Sequence, residues 1–114
     1  MLTLYGLKNC DTTRKARRWL TSREHDHRFI DVRHDGIDAK TLRGWSAKIG
    51  WEKLLNRRGT TWRSLTDEQR SEVDERKAIA LMASQPALIK RPVLENKGAL
   101  LVGFDEREYT ALFA

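Results

Sequence analysis

The sequence predicts an α/β fold in which a four-stranded mixed sheet is built as β-α-β and then β-β-α, with a helical block inserted between the halves. Three observations predict it. Near the N-terminus an apolar run, an amphipathic stretch and the β-rich run "HRFIDV" follow one another closely, as in a unit whose two strands lie parallel. Near the C-terminus "PVLE" and "ALLVG" flank the turn "NKG", the signature of an antiparallel hairpin. Between them runs a stretch with helical spacing and no strand-like alternation.

Each element follows from local chemistry. Leu2, Leu4 and Tyr5 read as a short buried strand ending at Gly6. Residues 12–22 read as a helix, because Ala16, Trp19 and Leu20 fall at i, i+3, i+4 and make one apolar face. Residues 27–32 are the next strand. After the turn "HDGID", Asp38 is a good N-cap, with Ile37 and Leu42 as its hydrophobic staple. Leu42, Trp45 and Ile49 continue that helix to Gly50. "WEKLL" is a helical turn and "NRRGTTWRSL" a polar loop. Thr66 and Gln69 form a capping box that opens further helix, continued by Ala78, Leu81 and Met82 and stopped by Pro86. "ALIKRPVLE" is expected to be extended, since a residue before proline is pushed out of the α region. The hairpin strands fall near 92–95 and 99–103. Asp105 and Glu108 form a second capping box, with Phe104 and Tyr109 as its staple, and Tyr109, Leu112 and Phe113 give the last helix its apolar face. This order is that of the thioredoxin fold, here expected as one domain over residues 1–114 with a helical insertion at about 36–85.

Composition narrows the function classes. At 114 residues with 39% hydrophobic content, the chain can bury a core and is not disordered. No apolar run approaches the ~20 residues that span a bilayer. The first residues run directly into Lys8, Arg14, Lys15 and Arg17, unlike a signal peptide. A cytoplasmic location and no membrane partner are expected. The net charge of +6 suits an anionic ligand, an acidic partner or nucleic acid without choosing among them. Nucleic acid is the least expected partner, because the arginines are not interleaved with exposed aromatics. A monomer is expected, with no bound cofactor. A single cysteine makes no internal disulfide and, without a cluster of other ligands, no metal site.

That cysteine, Cys10, stands between the first strand and the first helix. Helix N-termini carry unpaired N–H groups and about half a positive charge, and both favour a thiolate. Lys8 and Arg14 add positive charge, and Thr12 and Thr13 offer donors. Asp11 opposes them unless it points to solvent or caps the helix. A small buried filler is the commoner fate of a free cysteine, but Cys10 lies beside Asn9 and Asp11 rather than in an apolar run. A phosphate-cradling loop at this junction would need more than its one glycine. In "IKRPVL", Pro92 between a loop and a strand can be cis. Arg57, Arg58, Arg63 and Arg91 read either as anion ligands or as a solvated basic surface.

Taken together, "YGLKNCDTTRKARRWL", "LLNRRGTTWR", "GTTWRSL" and "KRPVL" resemble the arsenate reductase-like family of thioredoxin-fold proteins, the ArsC/Spx/YffB group, and most of all its YffB branch. The resemblance spans essentially the whole chain. It implies that Cys10 is a nucleophile, that Arg91 contacts an anionic substrate or a glutathione carboxylate, and that Pro92 is a cis-proline facing the thiol. It also implies that glutathione or a glutaredoxin completes the redox cycle. The expected function is therefore a glutathione-dependent monothiol oxidoreductase. Cys10 would attack a disulfide, with Asn9, Thr12, Thr13, Arg57, Arg58, Arg91 and Pro92 around the thiol and its glutathione. The alternatives are arsenate reduction and an Spx-like regulator docking on a protein partner. Two departures bear on arsenate. Arsenate reductases of this type hold the oxyanion with three arginines, and Asn56 and Gly103 stand where two of them are expected. Each lost charge-assisted hydrogen bond is worth roughly 1.5–3 kcal/mol. Thr13 also stands where the regulator branch often carries a second cysteine.

Overall fold

A computed structural model gives the fold for residues 2–114. The elements run β1 (Thr3–Gly6), α1 (Asp11–Ser22), β2 (Arg28–Asp31), α2 (Ala39–Ile49), α3 (Trp51–Leu54), α4 (Thr60–Arg63), α5 (Asp67–Arg70), α6 (Glu75–Ser84), a 3-10 turn at Pro86–Leu88, β3 (Val93–Asn96), β4 (Ala99–Val102) and α7 (Glu106–Leu112). They divide into two compact units. One joins the segment up to Val32 with Arg91–Ala114, and the other is Arg33–Lys90.

The first unit holds the sheet, in the order β2-β1-β3-β4, with β1 parallel to β2 and antiparallel to β3, and β3 antiparallel to β4. This is the thioredoxin-like α/β arrangement that the element order predicts. Register explains its core. Phe29, Leu4, Leu94 and Leu101 are successive cross-strand partners, so their side chains form one row on one face. Leu2, Ala16, Trp19, Leu20 and Tyr109 are buried in the same cluster, with Phe104, Leu112 and Phe113 packed against it. The apolar stripes of α1 and α7 therefore cover this face. Fully burying a leucine stabilises by about 1.5–3 kcal/mol, and Leu4, Leu20 and Leu94 are all at 0% exposure. Tyr109 meets the rings of Trp19 and Phe104 edge-on, at 5.4 and 4.9 Å between centroids, a favoured geometry for aromatic pairs.

In the second unit α2 packs on α6, and Ser46 Oγ donates to Glu75 Oε2 at 2.6 Å. Asp38 caps α2 by accepting from the Thr41 N–H at 2.8 Å. The helical block differs from the sequence expectation in three places. The Thr66–Gln69 capping box forms but opens a single turn. Glu72 at φ +49° breaks the helical path, and α6 starts afresh from Asp74, whose carboxylate accepts from the Lys77 N–H at 2.9 Å. The loop expected at 56–65 contains the one-turn α4, braced by Arg63 Nη1 donating to the Arg58 carbonyl at 2.8 Å. Residues 86–88 form a 3-10 turn with proline in its first turn, because Pro there sacrifices no needed N–H. The extended path resumes at Ile89, which bridges to Leu55.

In α7, Asp105 Oδ1 accepts from the Arg107 and Glu108 N–H groups. The reciprocal bond of a capping box does not appear there. The Tyr109 hydroxyl is buried without a hydrogen-bond partner, and burial holds its proton on well above the ordinary phenol range, with Glu108 adding to the effect. A buried polar group left unpaired is costly. Tyr109→Phe is therefore expected to stabilise the protein by about 1 kcal/mol in denaturant unfolding, whereas Trp19→Ala should cost ~3–5 kcal/mol.

Candidate active site

The site begins where β1 stops. Val32 donates its N–H to the Gly6 carbonyl at 2.9 Å, which carries the sheet ladder one residue past β2. The chain then turns through Leu7, Lys8 and Asn9. The Lys8 N–H is held by Asp31 Oδ2 at 3.1 Å, and the Cys10 N–H by the Leu7 carbonyl at 3.1 Å. Cys10 is the N-cap of α1, with extended backbone at φ −93° and ψ 123°, and its carbonyl accepts from the Arg14 N–H at 2.9 Å. The sulfur thus stands half-buried at the positive end of a 12-residue helix.

Burial pushes the Cys10 thiol up. The Thr13 hydroxyl, the Thr13 N–H and the Arg91 guanidinium more than offset that and hold it below the ordinary thiol range. Thr13 is fully buried, its hydroxyl has no hydrogen-bond partner, and it favours the ionised form of the neighbouring thiol. Asp11 does not oppose this arrangement. Its side chain is 92% exposed and pairs with Arg14 at 3.4 Å.

Arg91 comes from the opposite end of the unit's sequence. It precedes β3, and the Arg91–Pro92 peptide bond is cis. Pro92 is buried, and its carbonyl accepts from the Gly103 N–H at 2.8 Å, so the ends of β3 and β4 are tied together beside the arginine. Cys10, Thr13 and Arg91 are the predicted site residues that meet at the sulfur. Asn9 is exposed, with its carbonyl accepting from Arg14 Nη2 at 3.1 Å. Thr12 is exposed and lines an open pocket with Lys15, Phe104, Asp105, Glu106 and Arg107.

Arg57 and Arg58 belong to the second unit. There they line a cavity of about 400 Å³ with Glu52, Leu55 and Lys90, and Arg57 lies over the Trp51 ring at 5.3 Å. Neighbouring Asn56 uses its side-chain oxygen to accept from the Arg58 N–H at 3.0 Å, shaping the loop. Gly103 has φ +81°, a left-handed conformation that an arginine would resist.

One residue at the site was not singled out from sequence. A Cβ on Gly6 would lie 2.6 Å from both the Cγ2 and the Oγ1 of Thr13, closer than any real contact. The signal present in the sequence was a glycine ending a strand, but nothing there names the neighbour.

This geometry has counterparts. The model of the ArsC family matches residues 5–112. The structure of the YffB protein is similar, with 49% identity, full coverage of both chains and a TM-score of 0.97. That of an arsenate reductase (ArsC) related protein from Brucella melitensis shares 49% identity over 98% of this chain and 93% of its own, at a TM-score of 0.77. The global transcriptional regulator Spx of Enterococcus faecalis is 27% identical over 95% of this chain and 83% of its own. With a family model that covers nearly the whole chain, a thioredoxin-like sheet and a lone thiol at the head of the first helix, this protein belongs to the ArsC family.

Proposed function

We propose that the protein is a glutathione-dependent monothiol oxidoreductase. The observation that carries the reading is a single cysteine at the N-cap of α1, its thiol held below the ordinary range by Thr13 and Arg91. A lowered thiol pKa supplies the nucleophile at neutral pH, and a chain with one thiol must take its resolving thiol from outside.

The reaction is two thiol–disulfide exchanges. The Cys10 thiolate attacks the glutathione sulfur of a mixed disulfide. The sulfur–sulfur bond of the substrate breaks, a Cys10–glutathione disulfide forms, and the substrate leaves as a thiolate that takes a proton from water. The thiolate of a second glutathione then attacks the glutathione sulfur of that adduct. Oxidised glutathione departs and the Cys10 thiolate is restored. The substrate sulfur is reduced to a thiol, and the two glutathionyl groups end as one disulfide. Exchange of this kind requires an accessible attacking thiolate and a competent leaving group. Arg91, permanently cationic, favours the thiolate and is proposed to contact a glutathione carboxylate. Asn9, Thr12 and Pro92 are proposed as contact residues for the adduct. Arg57 and Arg58, in the cavity of the second unit, are proposed as anion ligands in that cavity. A glutaredoxin can replace the second glutathione, and the chemistry belongs in a reducing compartment such as the cytoplasm.

Reduction of a glutathione mixed disulfide by reduced glutathione tests the proposal. Cys10→Ser is expected to fall to the uncatalysed rate, and equal turnover by wild type and this variant would overturn the reading in favour of protein docking. Arg91→Ala removes a charge that favours the thiolate, so its alkylation rate should begin to fall at a higher pH than in wild type as pH is lowered. Its turnover at neutral pH should drop about tenfold or more, the scale of one charge-assisted hydrogen bond. Arsenate offered with glutathione is expected to be reduced no faster by wild type than by Cys10→Ser, because Asn56 and Gly103 leave the oxyanion with a weakened hold.

A further inference from the structure

We propose that Gly6 is a positioning residue for the thiol, because the absence of a side chain at the end of β1 leaves room for Thr13 to lie buried in the first turn of α1, at N3 behind the Cys10 N-cap. The inference rests on the reading that Cys10 works as a thiolate, but not on the identity of its substrate.

Three observations converge. First, the space is taken. A Cβ at Gly6 would stand 2.6 Å from Thr13 Cγ2, 2.6 Å from Thr13 Oγ1 and 3.2 Å from Thr13 Cβ. Contact at these distances is forbidden, so the threonine would have to turn or withdraw. Second, Thr13 has little freedom to do so without losing its role. It is fully buried in the first turn of α1, and a β-branched side chain in a helix has few permitted rotamers. Third, Thr13 stands three residues after Cys10, the N-cap of α1, the spacing that makes N-cap and N3 side chains neighbours, and its buried hydroxyl has no hydrogen-bond partner. Such a group is costly to maintain, and here it favours the ionised form of the neighbouring thiol.

Gly6 is also a better candidate than a simple hinge. Its positive-φ counterparts in this chain are Gly36, Gly50, Gly98 and Gly103, whereas Gly6 is an ordinary strand residue paired with Asp31. Backbone conformation does not demand glycine here, and side-chain space does. The charged groups on the elements around Cys10 are Arg91 just before β3, Lys8 in the loop, Asp31 at the end of β2, and Asp11 and Arg14 on α1, the last two paired with each other.

The test is the pH dependence of Cys10 alkylation by iodoacetamide in four full-length proteins: wild type, Gly6→Ala, Thr13→Ala and Gly6→Ala/Thr13→Ala. Both single variants are expected to move the midpoint of the thiol titration upward, and to slow alkylation at neutral pH several-fold. In the Thr13→Ala background, adding Gly6→Ala is expected to leave the midpoint where it was, since the hydroxyl it displaces is already gone. A folded Gly6→Ala protein with the wild-type midpoint would overturn the proposal, and so would a double variant whose shift is the sum of the two. If Gly6→Ala does not fold, Gly6→Ala/Thr13→Ser removes the methyl contact and is compared with Thr13→Ser. A higher midpoint supports the proposal and an equal one overturns it. Because iodoacetamide replaces any disulfide substrate, a failure of the glutathione chemistry leaves this result interpretable.

Discussion

The close seating of the first helix on the first strand is the constraint from which the site follows. Only four residues separate the end of β1 from the start of α1, so the position of the helix fixes the position of the sulfur. Leu4 from the strand and Ala16 and Leu20 from the helix, all at 0% exposure, hold that seating. At the top of the contact Gly6 lies against Thr13, with no room for a further carbon. Apolar burial thus aims a polar group, and the energy comes from the core rather than from the site.

The second half of the site arrives by strand pairing. Arg91 is 81 positions from Cys10 in the sequence, by their residue numbers, yet β3 lies antiparallel beside β1 with Tyr5 opposite Val93. That register places the residues just before β3 next to those just after β1. An arginine there offsets the desolvation that half-burial imposes on the thiolate. The same register aligns Phe29, Leu4, Leu94 and Leu101 under α1 and α7. Slipping the ladder by one residue would turn that row away from the helices, and the arginine would move with it.

Much of this was legible in the sequence because the relevant forces are local. The four strands, the parallel and antiparallel halves, and the caps at Asp38 and Thr66 follow from alternation, turn chemistry and side-chain hydrogen bonds within a few residues. So does the candidate nucleophile, a single thiol at a strand-to-helix junction. The short helices were harder. The single turns α4 and α5 and the 3-10 turn at Pro86–Leu88 are too short to leave a periodicity, and α4 is braced by a contact from outside its own turn, Arg63 with the Arg58 carbonyl. Asp11 also resisted reading, because whether a carboxylate opposes a thiolate depends on where it points. Here it turns to solvent and to Arg14.

The sequence by itself determined the fold class, the nucleophile candidate and the exclusion of an internal disulfide, since composition, periodicity and residue count carry that information without coordinates. Only the tertiary structure decided which of two adjacent threonines is buried behind Cys10. Helical geometry turns successive residues by about 100°, so Thr13 points inward and Thr12 outward. The structure also decided why a glycine ends the first strand. That answer depends on a distance of 2.6 Å between residues seven positions apart, and an ångström-scale steric limit has no signature in the order of the residues alone.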